Sequence, residues 1–324
     1  MVQCCVCNNS GGNKVYIVRE MMFGFRDEFS YFECAKCGCL QIAEVPNDLS
    51  KYYPRNYYSF NSSVQLPKAT GIRLYLRQKQ FETGLFRKGG LIGKLLYASS
   101  HWQLPDYSLS QVSLVKASRI LDVGCGNGYL LDILHEAGFK DLMGVDPYIE
   151  AEIERDGTRI RKGTINDISG KWDLVMFNHS FEHMPDQLET LRKTEELLDK
   201  KGVCLINMPT ASSYAWKHYR ENWGGIDAPR HLFIHSVRSM ALLAQKANLA
   251  LQKVTYNSIE AQFWASEQCL KDIPLLSESS YAINPAKSTF SKKQIETFKQ
   301  KTKELNRTEQ GDQAAFLLVS KHSS

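Results

Sequence analysis

Acidic residues and glycines with the spacing of a cofactor site lie near residue 120. The apolar run Ile120-Leu121 ends in Asp122. Three glycines follow at alternate positions: Gly124, Gly126 and Gly128. Glycine lets the backbone turn tightly and lets a ligand approach the main chain closely. A second apolar run, residues 142–145, ends in Asp146, about twenty residues on, where a carboxylate can accept both hydroxyls of a ribose.

The spacing of the glycines narrows the kind of cofactor. Gly-x-Gly-x-Gly differs from the Gly-x-Gly-x-x-Gly pattern that seats a pyrophosphate. Asp122 at the end of the strand would repel a phosphate, whereas it suits a cofactor with an ammonium group and a sulfonium. A helical pattern begins at Tyr129, so the loop joins a strand to a helix N-terminus. An ordinary strand–helix turn is the alternative interpretation.

Residues 115–324 resemble the S-adenosylmethionine-dependent methyltransferases with a Rossmann-like fold. After the glycine loop and Asp146, further runs follow in the order of that family's strands. These runs are residues 159–163, 172–177, 202–207 and the last, antiparallel one at 315–319. The resemblance implies an α/β fold with a doubly wound, seven-stranded, mostly parallel sheet.

The resemblance also implies which residues hold S-adenosylmethionine. Asp122 would orient the methionine end through its ammonium group, the glycine loop would lie against the cofactor backbone, and Asp146 would hold the ribose. The other implied contacts are Cys125 and Pro147 beside these motifs, Asp167 and Ile168 flanking the adenine, and Asn178 and His179 after the fourth strand.

A cysteine cluster precedes this domain. Two Cys-x-x-Cys pairs provide four thiolates: Cys4, Cys7, Cys34 and Cys37. Four thiolates suit one tetrahedral Zn²⁺ and leave no open position for water, which predicts a structural site in a zinc-ribbon-like hairpin. Unligated cysteines in a small domain are the alternative. Cys5 and Cys39 are out of register with the pairs, although Cys5 could replace a neighbour.

Histidines near two strand ends could take a proton from a methyl acceptor, because the histidine pKa lies in the range of a general base. His183 lies after the fourth strand and His231 after the fifth. We expect His231 to be the base, with His183 as the second candidate. Ser236 is predicted to cap a helix that begins near Val237, so part of this segment could be structural.

The run Pro229-Arg230-His231-Leu232 resembles a segment of zinc-ribbon methyltransferases that act on sugars. In the sugar C-methyltransferases the histidine is the proposed base and an acid precedes it. Here Arg230 replaces the acid, which weakens the case for C-methylation and suits a substrate carboxylate or phosphate, such as that of a nucleotide sugar. Tyr219 and Trp223 could stack on a sugar or pack the loop. The resemblance implies methyl transfer to oxygen or carbon of a sugar, nucleotide sugar or polysaccharide precursor.

Composition bears on the alternatives. A net charge of +5 over 324 residues is mild for an RNA methyltransferase whose zinc ribbon grips nucleic acid. The loop at residues 178–181 also lacks the Asn-Pro-Pro of enzymes that act on base amines. A non-catalytic cofactor-binding scaffold is disfavoured by the complete set of acids and glycines. The acceptor is therefore expected to be a small molecule.

We expect three parts in the chain: a zinc-ribbon-like module over residues 1–45, a linker and helical cap over 46–114, and the methyltransferase domain over 115–324 with an insertion at about 255–313. Residues 46–66 are expected to form a strap packed on the main domain, with tyrosines that line the substrate cleft as the alternative. The insertion suggests an exposed helix or mobile loop that acts as a lid or dimer contact.

Residues 70–100 show helical spacing with many basic side chains. They are expected to cover the mouth of the cofactor site, with contact to anionic lipid as the alternative. No run reaches the roughly 18 apolar residues of a membrane span, and the N-terminus lacks the pattern of a signal peptide. Together with reduced cysteines, these features predict a cytoplasmic protein; oligomeric state is not predicted.

Overall fold

The structure is a computed structural model that describes residues 2–53, 69–99, 107–155 and 157–321. The greater part of the predicted strap, residues 54–66 with Tyr57 and Tyr58, therefore lies outside the described residues. The strands are β1 (Lys14–Arg19), β2 (Glu28–Glu33), β3 (Leu40–Ile42), β4 (Arg119–Val123), β5 (Asp141–Asp146), β6 (Ile153–Arg155), β7 (Thr158–Lys162), β8 (Trp172–Asn178), β9 (Leu198–Pro209), β10 (Phe233–Ile234), β11 (Leu249–Tyr256) and β12 (Gln313–Ser320). The α-helices are α1 (Gly71–Phe86), α2 (Gly90–Ala98), α3 (Tyr129–Glu136), α4 (Gln187–Leu197), α5 (Tyr214–Tyr219), α6 (Val237–Lys246), α7 (Ala261–Leu270) and α8 (Lys292–Arg307).

The larger sheet has the order β11-β12-β9-β8-β4-β5-β7-β6. Its centre is parallel, whereas β12 runs antiparallel between β9 and β11. The predicted doubly wound α/β class, with an antiparallel last strand, is confirmed. The sheet has eight strands rather than seven, because the polar residues of β6 pair antiparallel with β7. A three-residue strand without an apolar run leaves little periodicity to detect.

The central strands are apolar because helices cover both faces of a parallel sheet. Ile120 and Leu121 of β4 have no exposed surface. In register, Asp122 lies opposite Gly144 of β5 and Met176 of β8. The carboxyl ends of three strands therefore meet at one edge, where ligands of open α/β sheets bind.

The cysteine-containing part forms a second, antiparallel sheet with the order β1-β2-β3-β10. The predicted hairpin is present, with Val15 opposite Phe32. Its last strand comes from the methyltransferase half of the chain, with Phe233 opposite Gln41. Residues 233–234, which begin two residues after the candidate base His231, thus complete the sheet of the predicted N-terminal module.

The insertion is partly buried. Phe263 of α7 is 1% exposed, and Asp272 after this helix pairs with Arg19 of β1 at 2.8 Å and with Arg26 at 3.0 Å. The first helix of the insertion therefore packs against the N-terminal sheet, whereas α8, which contains the lysines that suggested an exposed helix, is largely exposed. Of the helices in the described segments, none is both long and apolar enough to cross a membrane.

Candidate active site

The glycine loop follows β4 and has a left-handed backbone at each glycine. The φ angles are +77° at Gly124, +53° at Gly126 and +82° at Gly128. A Cβ atom added to Gly124 would lie 2.3 Å from the Cβ of Ser180, and one added to Gly128 would lie 2.3 Å from Cδ1 of Ile160. Both conformation and space therefore require glycine at these two positions.

Asp146 ties the end of β5 to this loop. Its Oδ2 accepts a hydrogen bond from the Gly126 amide at 2.9 Å, and its Oδ1 accepts one from the Tyr148 amide at 2.8 Å. The carboxylate is buried, while Pro147 and Tyr148 beside it are exposed. Each oxygen keeps further acceptor capacity, which fits the predicted contact with two ribose hydroxyls.

Asp122 is a buried carboxylate that has a weak partner among the described residues. It is 3% exposed, and Asn178 Nδ2 donates to its Oδ1 at 3.4 Å. Burial, opposed by Asn178 and reinforced by the charge of Asp146, raises the pKa of Asp122 to about 7. A buried carboxylate in such surroundings gains stability from a cationic partner, and the ammonium group of S-adenosylmethionine would supply one.

The predicted adenine contacts have different surroundings. Ile168 is buried, whereas Asp167 is exposed and caps its own turn. Its Oδ2 accepts from the Thr164 amide at 2.8 Å and from the Thr164 hydroxyl at 3.1 Å, which lowers the pKa of Asp167. Part of the acceptor capacity of Asp167 is therefore already in use, and its contact with a cofactor stays a prediction.

Two histidine rings meet beside this edge of the sheet. His183 and His231 lie with their ring centroids 4.8 Å apart. His183 Nδ1 is 2.8 Å from the carbonyl oxygen of Arg230, and His231 Nδ1 is 3.0 Å from that of Gly225. Because a carbonyl only accepts, both Nδ1 atoms carry the proton, and Nε2 of a neutral ring keeps its lone pair. Burial lowers the pKa of His231 to about 4, so its ring is neutral at pH 7.

Glu182 brings an acid to this pair. Its Oε1 lies 3.8 Å from His231 Nε2 and 3.5 Å from Nδ1 of the exposed His179. The side chain has no exposed surface, and neither oxygen has a hydrogen-bond partner within the described segments. Asp227 Oδ2 also lies 3.8 Å from His231 Nε2. Arg230 directly precedes His231 in the sequence, but the fold places two acids, Glu182 and Asp227, beside the His231 ring.

We call Glu182, His183 and His231 the histidine cluster. One donor atom from each lies within 4.8 Å of the others, a spacing that also admits a metal ion. Sequence reasoning missed Glu182, although its position directly before His183 was an available signal. It also missed the specific role of Tyr53, whose hydroxyl lies 3.2 Å from His183 Nδ1. The Tyr53 ring stacks on Tyr148 at 6.3 Å and so links the cluster to the Asp146 turn.

The prediction that Arg230 binds a substrate anion is wrong. Its side chain has no exposed surface, and its Nε donates to Asp227 Oδ2 at 2.9 Å. Its Nη2 donates to Glu20 Oε1 at 3.1 Å, and its Nη1 donates to the carbonyl oxygen of Tyr52 at 3.1 Å. The carboxylates of Asp227 and Glu20 already neutralise the guanidinium. Arg230 therefore stabilises the loop that precedes β10 and does not bind a substrate.

The predicted stacking of Tyr219 and Trp223 on a substrate is also wrong. Tyr219 is 6% exposed and donates its hydroxyl to Glu267 at 3.1 Å. Trp223 is 2% exposed and donates Nε1–H to Asp312 at 3.1 Å. Both rings belong to a core with Trp216, and the alternative, that they pack the loop, is the correct one. The capping role of Ser236 is confirmed, since its Oγ accepts from the Ser239 amide at 3.0 Å.

The four predicted zinc ligands converge. The sulfur atoms of Cys4 and Cys37 are 3.5 Å apart, as are those of Cys7 and Cys34, and all four lie within 4.8 Å of one another. Tetrahedral Zn²⁺ with bonds of about 2.3 Å requires sulfur atoms roughly 3.8 Å apart. The donor set therefore fits zinc. Cys5 is exposed and stays outside this set.

Comparison with known proteins indicates the class of protein to which this chain is similar. Residues 98–254 match a family model described as a methyltransferase domain. Together with the sheet order and the glycine loop, this match supports an S-adenosylmethionine-dependent methyltransferase. The match ends before the insertion and does not include the cysteine module.

Among curated relatives, a ubiquinone biosynthesis O-methyltransferase of Azorhizobium caulinodans is 30% identical over 104 residues, covering 29% of this chain and 41% of that protein. A trans-aconitate 2-methyltransferase of Rhizobium rhizogenes is 31% identical over 112 residues, covering 31% and 42%. The chain thus spans less than half the length of these two relatives. A cyclopropane synthase from Mycobacterium tuberculosis is similar with a TM-score of 0.40 and 14% identity, covering 75% of this chain and 96% of that one, values too low to indicate function.

Proposed function

We propose that the protein transfers a methyl group from S-adenosylmethionine to an oxygen of a small-molecule acceptor bound at the histidine cluster. The observation that carries this proposal is the buried carboxylate of Glu182, which has no hydrogen-bond donor among the described residues, beside the neutral imidazole of His231. The same loop holds Ser180, whose hydroxyl donates to the Val123 carbonyl at 2.6 Å and so fastens the cluster to the end of β4. Acceptor and cofactor sites would therefore share one edge of the sheet.

Asp122, Asp146 and the glycine loop would hold S-adenosylmethionine. When bound, it would supply a methyl group on a sulfonium. The acceptor oxygen would gain this methyl group and lose its proton, and the sulfur would keep the electron pair of the broken sulfur–methyl bond. The pairing of Asp122 with an ammonium group would favour its ionised form. Asp146, fixed by two backbone amides, would present its carboxylate to the ribose.

His231 Nε2 is the atom that would take the acceptor's proton. Its Nδ1–H is held by the Gly225 carbonyl, which keeps the lone pair of Nε2 available. The nearby carboxylates of Glu182 and Asp227 would stabilise the imidazolium that forms. His183, with the same tautomer, is the second candidate.

We propose a carbohydrate, nucleotide sugar or polysaccharide precursor as the first acceptor class to test. The cysteine module and the run Pro229–Leu232 support it through their resemblance to sugar methyltransferases. The names of the relatives favour a second class, a hydroxylated quinone precursor or a carboxylic acid. Because Arg230 is paired with protein carboxylates and does not bind a substrate anion, one reason for preferring a nucleotide sugar is removed.

The test is incubation with labelled S-adenosylmethionine and separate panels of nucleotide sugars, hydroxylated aromatics, tricarboxylic acids and total RNA. Label on a sugar supports the carbohydrate proposal, and label on another panel alone rejects it in favour of that class. Activity that persists with a chelator, while zinc stays in the protein, supports histidine as the base. Activity that is lost and then restored by a divalent cation assigns the cluster to a metal instead.

A further inference from the structure

Helices α1 and α2 form a tightly packed hairpin. Their contact runs through two glycines of the second helix region, because a Cβ added to Gly89 would lie 1.9 Å from Thr83 Oγ1, and one added to Gly93 would lie 2.4 Å from the Lys79 carbonyl. Gly93 is the buried residue of α2. Helix α2 therefore contacts α1 through its glycine backbone. The large side chains of α2 do not form this contact.

Those side chains are apolar and exposed. In α2, Leu91 is 80% exposed, Leu95 73% and Ile92 51%, and at the start of α1 Ile72 is 75% exposed. The other end of α1 is anchored, since Phe81, Leu85 and Phe86 are buried against the domain core. A helix of nine residues that exposes three large apolar side chains marks a binding surface.

The hairpin also concentrates positive charge. Residues 71–98 contain six Lys and Arg residues and one acid, Glu82, a net charge of +5 that equals the net charge of the entire chain. The acid is already paired with Lys79 at 2.9 Å and with Lys116 at 2.7 Å. Lys88 and Lys94 are exposed next to the apolar side chains. The rest of the chain has a formal net charge of zero, so an anionic partner would be attracted to this hairpin.

We propose that the α1–α2 hairpin is a peripheral membrane anchor that binds a bilayer surface rich in anionic phospholipid. Exposed leucine and isoleucine side chains would enter the boundary between headgroups and acyl chains, and lysines would meet the headgroup phosphates. A nucleic acid would use the charge but leave the apolar side chains in water, which makes lipid the better match. The proposal goes beyond methyl transfer, because binding requires neither cofactor nor acceptor.

The test is co-sedimentation of the full chain with vesicles of phosphatidylcholine alone and of phosphatidylcholine mixed with phosphatidylglycerol. We expect binding to the anionic vesicles that weakens as salt increases, and weaker binding to the neutral ones. Equal recovery in the supernatant with and without anionic vesicles overturns the proposal. Because no acceptor is present, this result is independent of whether the proposed methyl transfer occurs.

Two matched variants separate the hairpin from general surface hydrophobicity. The first carries Leu91→Gln, Ile92→Gln and Leu95→Gln; the control carries Ile259→Gln, Leu276→Gln and Ile283→Gln, which are exposed elsewhere. We expect at least about a tenfold loss of vesicle affinity in the first and little change in the control, with unchanged melting temperature in both. Equal losses overturn the proposal, as does a dimer in light scattering that the first variant dissociates, because the apolar face would then bind a second copy.

Discussion

Glu20 and Arg230 form an ion pair of 3.1 Å between two side chains with no exposed surface. Glu20 follows β1 of the N-terminal sheet and also accepts hydrogen bonds from the four amides of residues 22–25. Arg230 directly precedes His231, and its carbonyl accepts from His183 Nδ1. The pair therefore joins the cysteine-containing sheet to the histidine cluster.

We predict that Glu20→Gln lowers the free energy of unfolding by about 3 kcal/mol, because it leaves a buried guanidinium with one carboxylate fewer. Urea denaturation measures this loss, and the exposed Glu28→Gln in the same sheet is the control. Since the cluster loses a fixed support, we also expect a lower kcat with an unchanged Kd for S-adenosylmethionine. A variant that matches Glu28→Gln in both measurements would show that the pair positions nothing.

Asp122→Asn should change the stability of the folded protein and its affinity for S-adenosylmethionine in different ways as pH changes. In the cofactor-free protein the pKa of Asp122 is raised to about 7 from an ordinary value near 3.9, so the folded state favours its protonated form. This contribution to stability is present at low pH and is lost as pH rises through about 7. We therefore expect the asparagine variant to gain thermal stability relative to the wild type as pH rises from about 4 to about 7, with little further gain above that. Differential scanning calorimetry checks this, and an unchanged difference across that range would contradict it.

Cofactor affinity should show the opposite pH trend at the same residue. An ammonium group pairs with the ionised carboxylate, so the wild-type affinity for S-adenosylmethionine should fall by up to about tenfold per pH unit below the pKa of Asp122. Calorimetric titration between about pH 6 and pH 8 measures this slope. Asp122→Asn should bind weakly with little slope, and a wild type whose affinity is flat over this range would remove Asp122 from the ammonium contact.

His231→Ala should lower kcat by roughly 10² to 10⁴, the usual effect of removing a general base, with little change in cofactor Kd. His218→Ala is the matched control, because His218 is exposed on α5. His183→Ala is expected to have a smaller effect. If His183→Ala is the more damaging variant, the base is His183 and His231 supports it.

Zinc removal should lower the methyltransferase activity, because the cysteine module and the segment after His231 contribute strands to the same sheet. We expect about one zinc per chain, bound by Cys4, Cys7, Cys34 and Cys37. Cys34→Ser should lose the metal, lower the melting temperature and reduce kcat, because β3 pairs with β10 two residues after His231. Cys5→Ser is the control, as Cys5 is exposed outside the set. Full zinc content in Cys34→Ser, measured by elemental analysis, would disprove this ligand set.

Local patterns made much of the fold predictable. The apolar runs that end in Asp122 and Asp146 mark strands covered on both faces, and the left-handed glycines mark the loop between strand and helix. The two Cys-x-x-Cys pairs likewise brought four sulfur atoms together. The short strand β6 escaped notice because it has three residues, two of them the charged Glu154 and Arg155, and so contains no apolar run.

By itself, the sequence determined the sheet class, the glycine loop with its two acids and the cysteine cluster, because each depends on residue types a few positions apart. The tertiary structure alone decided the role of Arg230, whose partner Glu20 lies 210 residues away, and the identity of the acids beside His231. It also showed that Tyr219 and Trp223 are core residues. A charged or aromatic side chain serves a ligand or the fold according to which groups surround it, and several of those groups, such as Glu20 and Glu182, come from distant parts of the chain.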